Sequence, residues 1–309
     1  MPPFSLNGVD GVDTVDGVDT VDGVDSQRAG HSPYLSSALT NARRAVIGAP
    51  PGLGALDTRD RLTGVSDDVF KRSLSVRYLL FKSELLECIN FKHDPEATPE
   101  TVTLSFGSDA LTPLERPEID QSDIDEVLAY ANLRAERSSE IHMQVKRLIP
   151  FIGSVVNVSA NRHKYTIELL NLLIGCASEC HQPIKNLLNV RRPAEYDARV
   201  QPMIPDPGHA SFPSGHATQA AVLAKVIFEL SKAVPPTNNN GYLATVRAQI
   251  NHHANRIAEN RIVAGVHYKV DNDAGQTLGH ELAGYFLTRF KAQGSLCNLL
   301  WARASDEWR

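Results

Sequence analysis

Three short segments carry side chains whose types and spacing suit the binding of, and attack on, a tetrahedral oxyanion. The first, KNLLNVRRP, holds Lys185 and Arg192 seven residues apart, closed by Pro193. Seven residues is two helical turns, so the spacing predicts both cations on one side of a helix end. The second, SFPSGHATQ, sets Pro213, Ser214 and Gly215 directly before His216. Serine caps helices, glycine lets backbone approach a ligand, and N–H groups at a helix start favour an anion. The third, NRIVAGVHYKVD, holds Arg261, His267 and Asp271, with the carboxylate four residues after the histidine and in local reach of its ring.

Singly, each segment has an ordinary explanation: a solvated basic face, a capped helix start, a packed histidine. Together they supply what an oxyanion needs. Guanidinium groups fork onto its oxygens, and the Ser214 hydroxyl and Gly215 N–H add neutral donors. One histidine attacks while the other delivers a proton.

The elements that must position these groups read as helical. Residues 66–90 place Val69, Leu74, Leu79, Leu80 and Leu85 at three- and four-residue steps. A Pro- and Thr-rich stretch from His93 to Gln121 reads as a loop. Ser122 then reads as the N-cap of a long helix that Pro150 ends. Further helices are expected over about His163–Asn189, from the Pro-Ser-Gly turn to Lys232, over Leu243–Asn260 and over Asp271–Lys291. The run PPTNNNG (235–241) reads as a break. Alternating β patterns are scarce, so the expected fold class is all-α, a multi-helix bundle. Residues 1–35 form an acidic low-complexity tail around the Val-Asp repeat of residues 8–25. Its period of three fits neither helix nor strand, and its composition predicts disorder. Residues 36–309 are expected to form a single helical catalytic domain, with the chemistry between 185 and 271.

Composition excludes some classes of function. The chain has 309 residues with 31 Lys+Arg against 36 Asp+Glu, a net charge of −5. That balance argues against nucleic acid as the main partner. Four cysteines are too few for a disulfide framework in a chain this long. Cys176, Cys180 and His181 share helical spacing but lack the paired pattern of structural zinc, so no metal cation is expected. The most apolar run, LLNLLIGCAS (169–178), falls short of the ~20 residues a membrane span needs. With no basic, then apolar leader, the sequence reads as a soluble, cytoplasmic protein with no membrane span. Homo-oligomerisation is compatible with it.

The three segments resemble the signature of the superfamily of type 2 phosphatidic acid phosphatases and vanadium-dependent haloperoxidases. That signature is Lys, six residues, Arg-Pro; then Pro-Ser-Gly-His; then Ser-Arg, five residues, His, three residues, Asp. All three spacings match, and Asn260 stands where the pattern has Ser. The resemblance covers about residues 125–290. It implies an acid phosphatase/haloperoxidase-type helical fold, with His267 as nucleophile or vanadate ligand, His216 as general acid and Asp271 orienting His267. Lys185, Arg192, Ser214, Gly215 and Arg261 would hold phosphate or vanadate. Arg191 falls out of register and reads as surface; Asp273 is a weaker rival to Asp271.

The function expected is a soluble phosphomonoester phosphatase acting through phosphohistidine, with a small phosphate ester as partner and no cofactor. The alternative is a vanadium-dependent haloperoxidase using vanadate, halide and peroxide. A non-catalytic oxyanion-binding protein is a third reading. Chloroperoxidases of the superfamily carry Trp and Phe where this chain has Gln182 and His209, and ATQAAVL lacks the second histidine of some bromoperoxidases. His209 remains a candidate pocket residue.

Overall fold

The computed structural model describes residues 67–233 and 240–309. The expected tail, residues 36–66 and most of the 235–241 break lie outside the described residues. A 3-10 turn at Asp67–Lys71 precedes α1 (Leu74–Leu85), which leads into β1 (Ile89–Asp94), β2 (Thr101–Phe106), β3 (Asp109–Ala110) and β4 (Leu114–Glu115). Then come α2 (Gln121–Tyr130), α3 (Arg134–Gln144), α4 (Ile149–Gly153), α5 (Lys164–Leu188) and α6 (Pro193–Tyr196). The last four are α7 (Gly215–Ser231), α8 (Asn240–Val263), α9 (Lys269–Lys291) and α10 (Leu296–Asp306).

The fold is mostly helical but not all-α: the stretch expected to be a loop holds a small antiparallel sheet. In β2, TVTLSF, Val102, Leu104 and Phe106 are buried and Thr101, Thr103 and Ser105 are half-buried. That is the period-two pattern of a strand with one covered face, built from residues that suit a pleated surface. β1 pairs with it antiparallel, Phe91 opposite Leu104, and β3 and β4 pair with β2 in turn. The sheet packs on α5, and the Phe106 ring stacks on Tyr285 of α9 at 3.8 Å.

The expected element boundaries also shift. The N-cap of α2 is Asp120, not Ser122: its carboxylate accepts from the Ser122 and Asp123 N–H groups, and Asp123 returns a bond to its N–H. The long helix expected up to Pro150 is broken into α2, a 3-10 turn at Ala131–Leu133, and α3. Pro150 opens α4 instead, since a missing N–H costs nothing in a first turn. The helix expected over 66–90 stops at Leu85, and Cys88, at φ 60, turns the chain into β1.

At the centre lies α7. It is buried on nearly every side and packs against α5, α8 and α9. Ser214 caps it, its side chain accepting from the Ala217 N–H. Two glycines let α9 lie close against it. A Cβ on Gly275 would stand 2.5 Å from the Ser214 carbonyl oxygen, and one on Gly279 would stand 2.4 Å from that of Thr218. This close approach brings the start of α9 to the start of α7, where the Ser214 N–H donates to the Asp271 carbonyl at 2.9 Å. At the far end of α5, the Tyr165 and Thr166 N–H groups donate to the Glu307 carboxylate at 2.7 and 2.8 Å, which satisfies two orphan donors of that helix start.

Candidate active site

The three sequence segments meet at one place, around the starts of α7 and α9 and the end of α5. Lys185 lies in the last turn of α5, and its Nζ donates to the carbonyl oxygens of Ala210 (3.1 Å) and Ser211 (2.8 Å). Arg192 is not on that helix, contrary to the two-turn expectation. Asn189, in a left-handed conformation at φ 44, ends α5 first. Arg192 sits in extended backbone before α6 and reaches back. Its Nε donates to the His209 carbonyl (3.0 Å), its Nη1 to the Val266 carbonyl (2.6 Å), and its Nη2 to His209 Nδ1 (3.1 Å). Arg261, in the last turn of α8, donates through Nη2 to the Ile141 carbonyl at 3.2 Å.

His267 and Asp271 form the tightest pair. His267 Nδ1 lies 2.8 Å from Asp271 Oδ2, which also accepts the Tyr268 N–H (3.0 Å) and the Ser211 hydroxyl (2.5 Å). A carboxylate oxygen only accepts, so Nδ1 carries the ring hydrogen and Nε2 keeps its lone pair. Burial holds the His267 imidazole well below its usual range, aided by the charges of Arg192, Lys185, His216 and His209. Burial pushes the Asp271 carboxyl up to about 6, against the opposing pull of the Ser211 and Tyr268 hydrogen bonds and the nearby Lys185 and Arg192 charges. A neutral imidazole beside an ionised carboxylate is therefore the state at neutral pH.

His216, in the first turn of α7, places Nε2 3.0 Å from the Gln144 carbonyl oxygen. Ser214 and Gly215 lie where expected, at the N-cap and first position of α7, with orphan N–H groups of a helix start around them. His209 is half-buried against Arg192 rather than loose in a loop. Asp273 is exposed and pairs with Lys269, and Arg191 is exposed, so neither belongs to the site.

Two neighbours carried no signal in the motif reading. Ser211 lies inside the quoted SFPSGHATQ stretch, yet only the folded loop shows that it faces Asp271. Gln144 lies in a helix with no motif at all. Cys176 and Cys180 are buried on α5 with their thiols pushed up by burial, and no cluster of three His, Cys, Asp or Glu side chains among the described residues is arranged to hold a metal ion.

Charge gives the site its character. Lys185, Arg192 and Arg261 are each 1% exposed, and Asp271, whose carboxyl feels the Lys185 and Arg192 charges, is at 0%. Arg192 Nε also lies 3.4 Å from the more exposed carboxylate of Asp206, so the cations are partly paired within the protein. Buried charge of one sign is costly unless a counter-charge is bound.

No protein-family model matches the chain, and no curated protein matches it. Among solved structures it is similar to the crystal structure of the first transmembrane PAP2 type phosphatidylglycerolphosphate phosphatase from Bacillus subtilis. The two share 22% identity over 56% of this chain and 87% of that chain, with a TM-score of 0.44. Among the described residues, no helix is long and apolar enough to cross a membrane.

Proposed function

We propose that the chain is a phosphomonoester phosphatase of the type 2 phosphatidic acid phosphatase kind, working through a phosphohistidine at His267. One observation carries the reading: the buried cations Lys185 and Arg192 act on an uncharged imidazole whose Nδ1–H is fixed by Asp271. A phosphomonoester dianion suits a site lined by these cations, and the Nε2 lone pair supplies the nucleophile.

Lys185, Arg192 and Arg261 hold the non-bridging oxygens, with the Gly215 N–H and the Ser214 hydroxyl beside them. Nε2 of His267 attacks phosphorus as the bond to the leaving oxygen breaks. The imidazolium that forms is stabilised by Asp271. His216 gives its proton to the leaving alkoxide. Water then attacks the phosphohistidine, His216 takes a proton from it, the P–N bond breaks, and inorganic phosphate is released. The same cations suit vanadate, whose five-coordinate form resembles this transition state, so vanadate is expected to inhibit.

The test is a paired assay: hydrolysis of p-nitrophenyl phosphate by the protein as isolated, and peroxide-dependent halide oxidation after incubation with vanadate. Hydrolysis with an acid-labile, alkali-stable phosphoenzyme, absent in His267→Ala, is the expected result. Halide oxidation without hydrolysis would replace this reading with the haloperoxidase one. Neither activity, with phosphate still bound, would leave an oxyanion-binding protein.

A further inference from the structure

The last turn of α3 reaches into the site although its sequence holds none of the motifs. Its carbonyl groups have no intrahelical partners, as at any helix end. Two of them meet the site: the Ile141 oxygen accepts from Arg261 Nη2 at 3.2 Å, and the Gln144 oxygen lies 3.0 Å from His216 Nε2. The Gln144 side chain is held from the other side. Its Oε1 accepts from Asn260 Nδ2 at 2.9 Å and lies 3.5 Å from Arg261 Nη2. The same Asn260 nitrogen donates to Glu140 Oε2 at 3.2 Å, and Glu140 grips Arg256 of α8 through both oxygens at 2.7 and 2.8 Å.

We propose that Gln144 and Asn260 are positioning residues for the proton donor. Their amide pair fixes the end of α3, so that the Gln144 carbonyl pins the Nε2–H of His216 and leaves Nδ1 as the atom that gives and takes the proton. The proposal rests on the phosphatase reading above. A carbonyl oxygen cannot donate, so the ring nitrogen facing it must carry the hydrogen. The pair also gives a reason for asparagine at 260, where the resembled pattern has serine. One amide NH2 serves two acceptors at once, Glu140 and Gln144, whereas a hydroxyl has a single hydrogen to give. The α3–α8 junction and the Arg261 guanidinium are then braced by one nitrogen.

The test uses the full chain and three variants: Gln144→Met, which keeps length but removes the acceptor; Gln144→Glu, which keeps the acceptor; and Asn260→Ser. Two readouts are taken. Imidazole 15N shifts report the tautomer of His216 whether or not the protein turns over. The ratio of turnover on an alkyl phosphate to that on p-nitrophenyl phosphate reports proton delivery, because nitrophenolate leaves with little help. In Gln144→Met the ratio should fall by about ten-fold or more, part of the ~10²–10⁴ that general acid help supplies. The His216 signal should move from a pure Nε2–H form to a mixture. Gln144→Glu should restore both, and Asn260→Ser should show a smaller change in the same sense. If Gln144→Met does not fold, Asn260→Ser decides with the same two readouts. An unchanged tautomer and ratio overturn the proposal, and so does equal slowing of both substrates with the tautomer intact. If the unaltered protein hydrolyses neither ester, the phosphatase reading fails by itself. The pinning of His216 then stands or falls on the nitrogen shifts.

Discussion

The Ser211 hydroxyl lies 2.5 Å from Oδ2 of Asp271, the oxygen that also receives Nδ1–H of His267 at 2.8 Å. One carboxylate oxygen therefore takes a hydroxyl, an imidazole and, from Tyr268, a backbone N–H. Each bond favours the ionised form of Asp271 in a place where burial opposes it.

Removing one of these donors should show in the pH profile. In Ser211→Ala the Asp271 carboxyl loses a bond to its charged form, so its pKa moves up. The acid limb of kcat/KM should move to higher pH by about a unit, with stability reduced by about 1–2 kcal/mol. A pH–rate series and a urea melt check both. An acid limb that stays in place would mean that the hydroxyl serves His267 Nδ1, 3.2 Å away, rather than the carboxylate.

The unaltered protein should lose activity as pH falls through about 6. The sign follows from which group titrates. His267 is held well below its usual range and stays neutral across that window, while Asp271, pushed up to about 6, gains its proton there. A protonated Asp271 no longer stabilises the imidazolium that forms on attack. Asp271→Asn should abolish this limb and cut turnover by about 10³–10⁴-fold, the scale seen when a carboxylate that orients a catalytic histidine is lost. Retention of the limb in Asp271→Asn would assign it to another group.

Two glycines of α9 should respond oppositely to alanine. At Gly275 the new Cβ would meet the Ser214 carbonyl oxygen at 2.5 Å, so α7 and α9 must part and the start of α7 must move. The cost should be about 1–3 kcal/mol, with activity lost alongside. At Gly284 the nearest atom is Nζ of Lys225 at 3.4 Å, the end of a flexible side chain. There alanine should be neutral or stabilise by up to about 1 kcal/mol through helix propensity. Thermal melts of the two variants side by side decide it. Equal melting temperatures would show that the close approach of the helices is not needed.

The buried cations Lys185, Arg192 and Arg261 predict that phosphate and vanadate stabilise the fold. An anion that binds only the folded chain adds about 2.7 kcal/mol at a concentration one hundred times its Kd. Lys185→Met removes a cation that donates to the Ala210 and Ser211 carbonyls, and should weaken the response to phosphate. A melting temperature indifferent to phosphate in the unaltered protein would count against an oxyanion site.

Much of the candidate site is legible in the sequence because its residues fall in short, regularly spaced segments. Asp271 is four residues from His267, and Ser214 and Gly215 directly precede His216, so short sequence windows hold complete pieces of it. The spacing of Lys185 and Arg192 predicts one shared helix face, but a left-handed Asn189 ends the helix between them. Ser211 and Gln144 were illegible for another reason: their partners, Asp271 and His216, are far along the chain, and only tertiary packing joins them. The helices around the core showed their period of apolar residues. The sheet did not, although Val102, Leu104 and Phe106 alternate plainly, because the surrounding proline and threonine content reads as loop.

The hydrogen bond from the Ser214 N–H to the Asp271 carbonyl also says something about the order in which the protein is made. A nascent chain that has reached Ser231 already carries Gln144, Lys185, Arg192 and the whole Pro-Ser-Gly-His turn. It has no partner for that turn, no Arg261 and no His267. Long-range pairings of this kind come late in folding, since a long loop must close before any contact rewards it. Lys185 and Arg192 thus lie near a carboxylate that is synthesised after both of them, and anion binding in a translating ribosome complex should begin only once Asp271 has emerged.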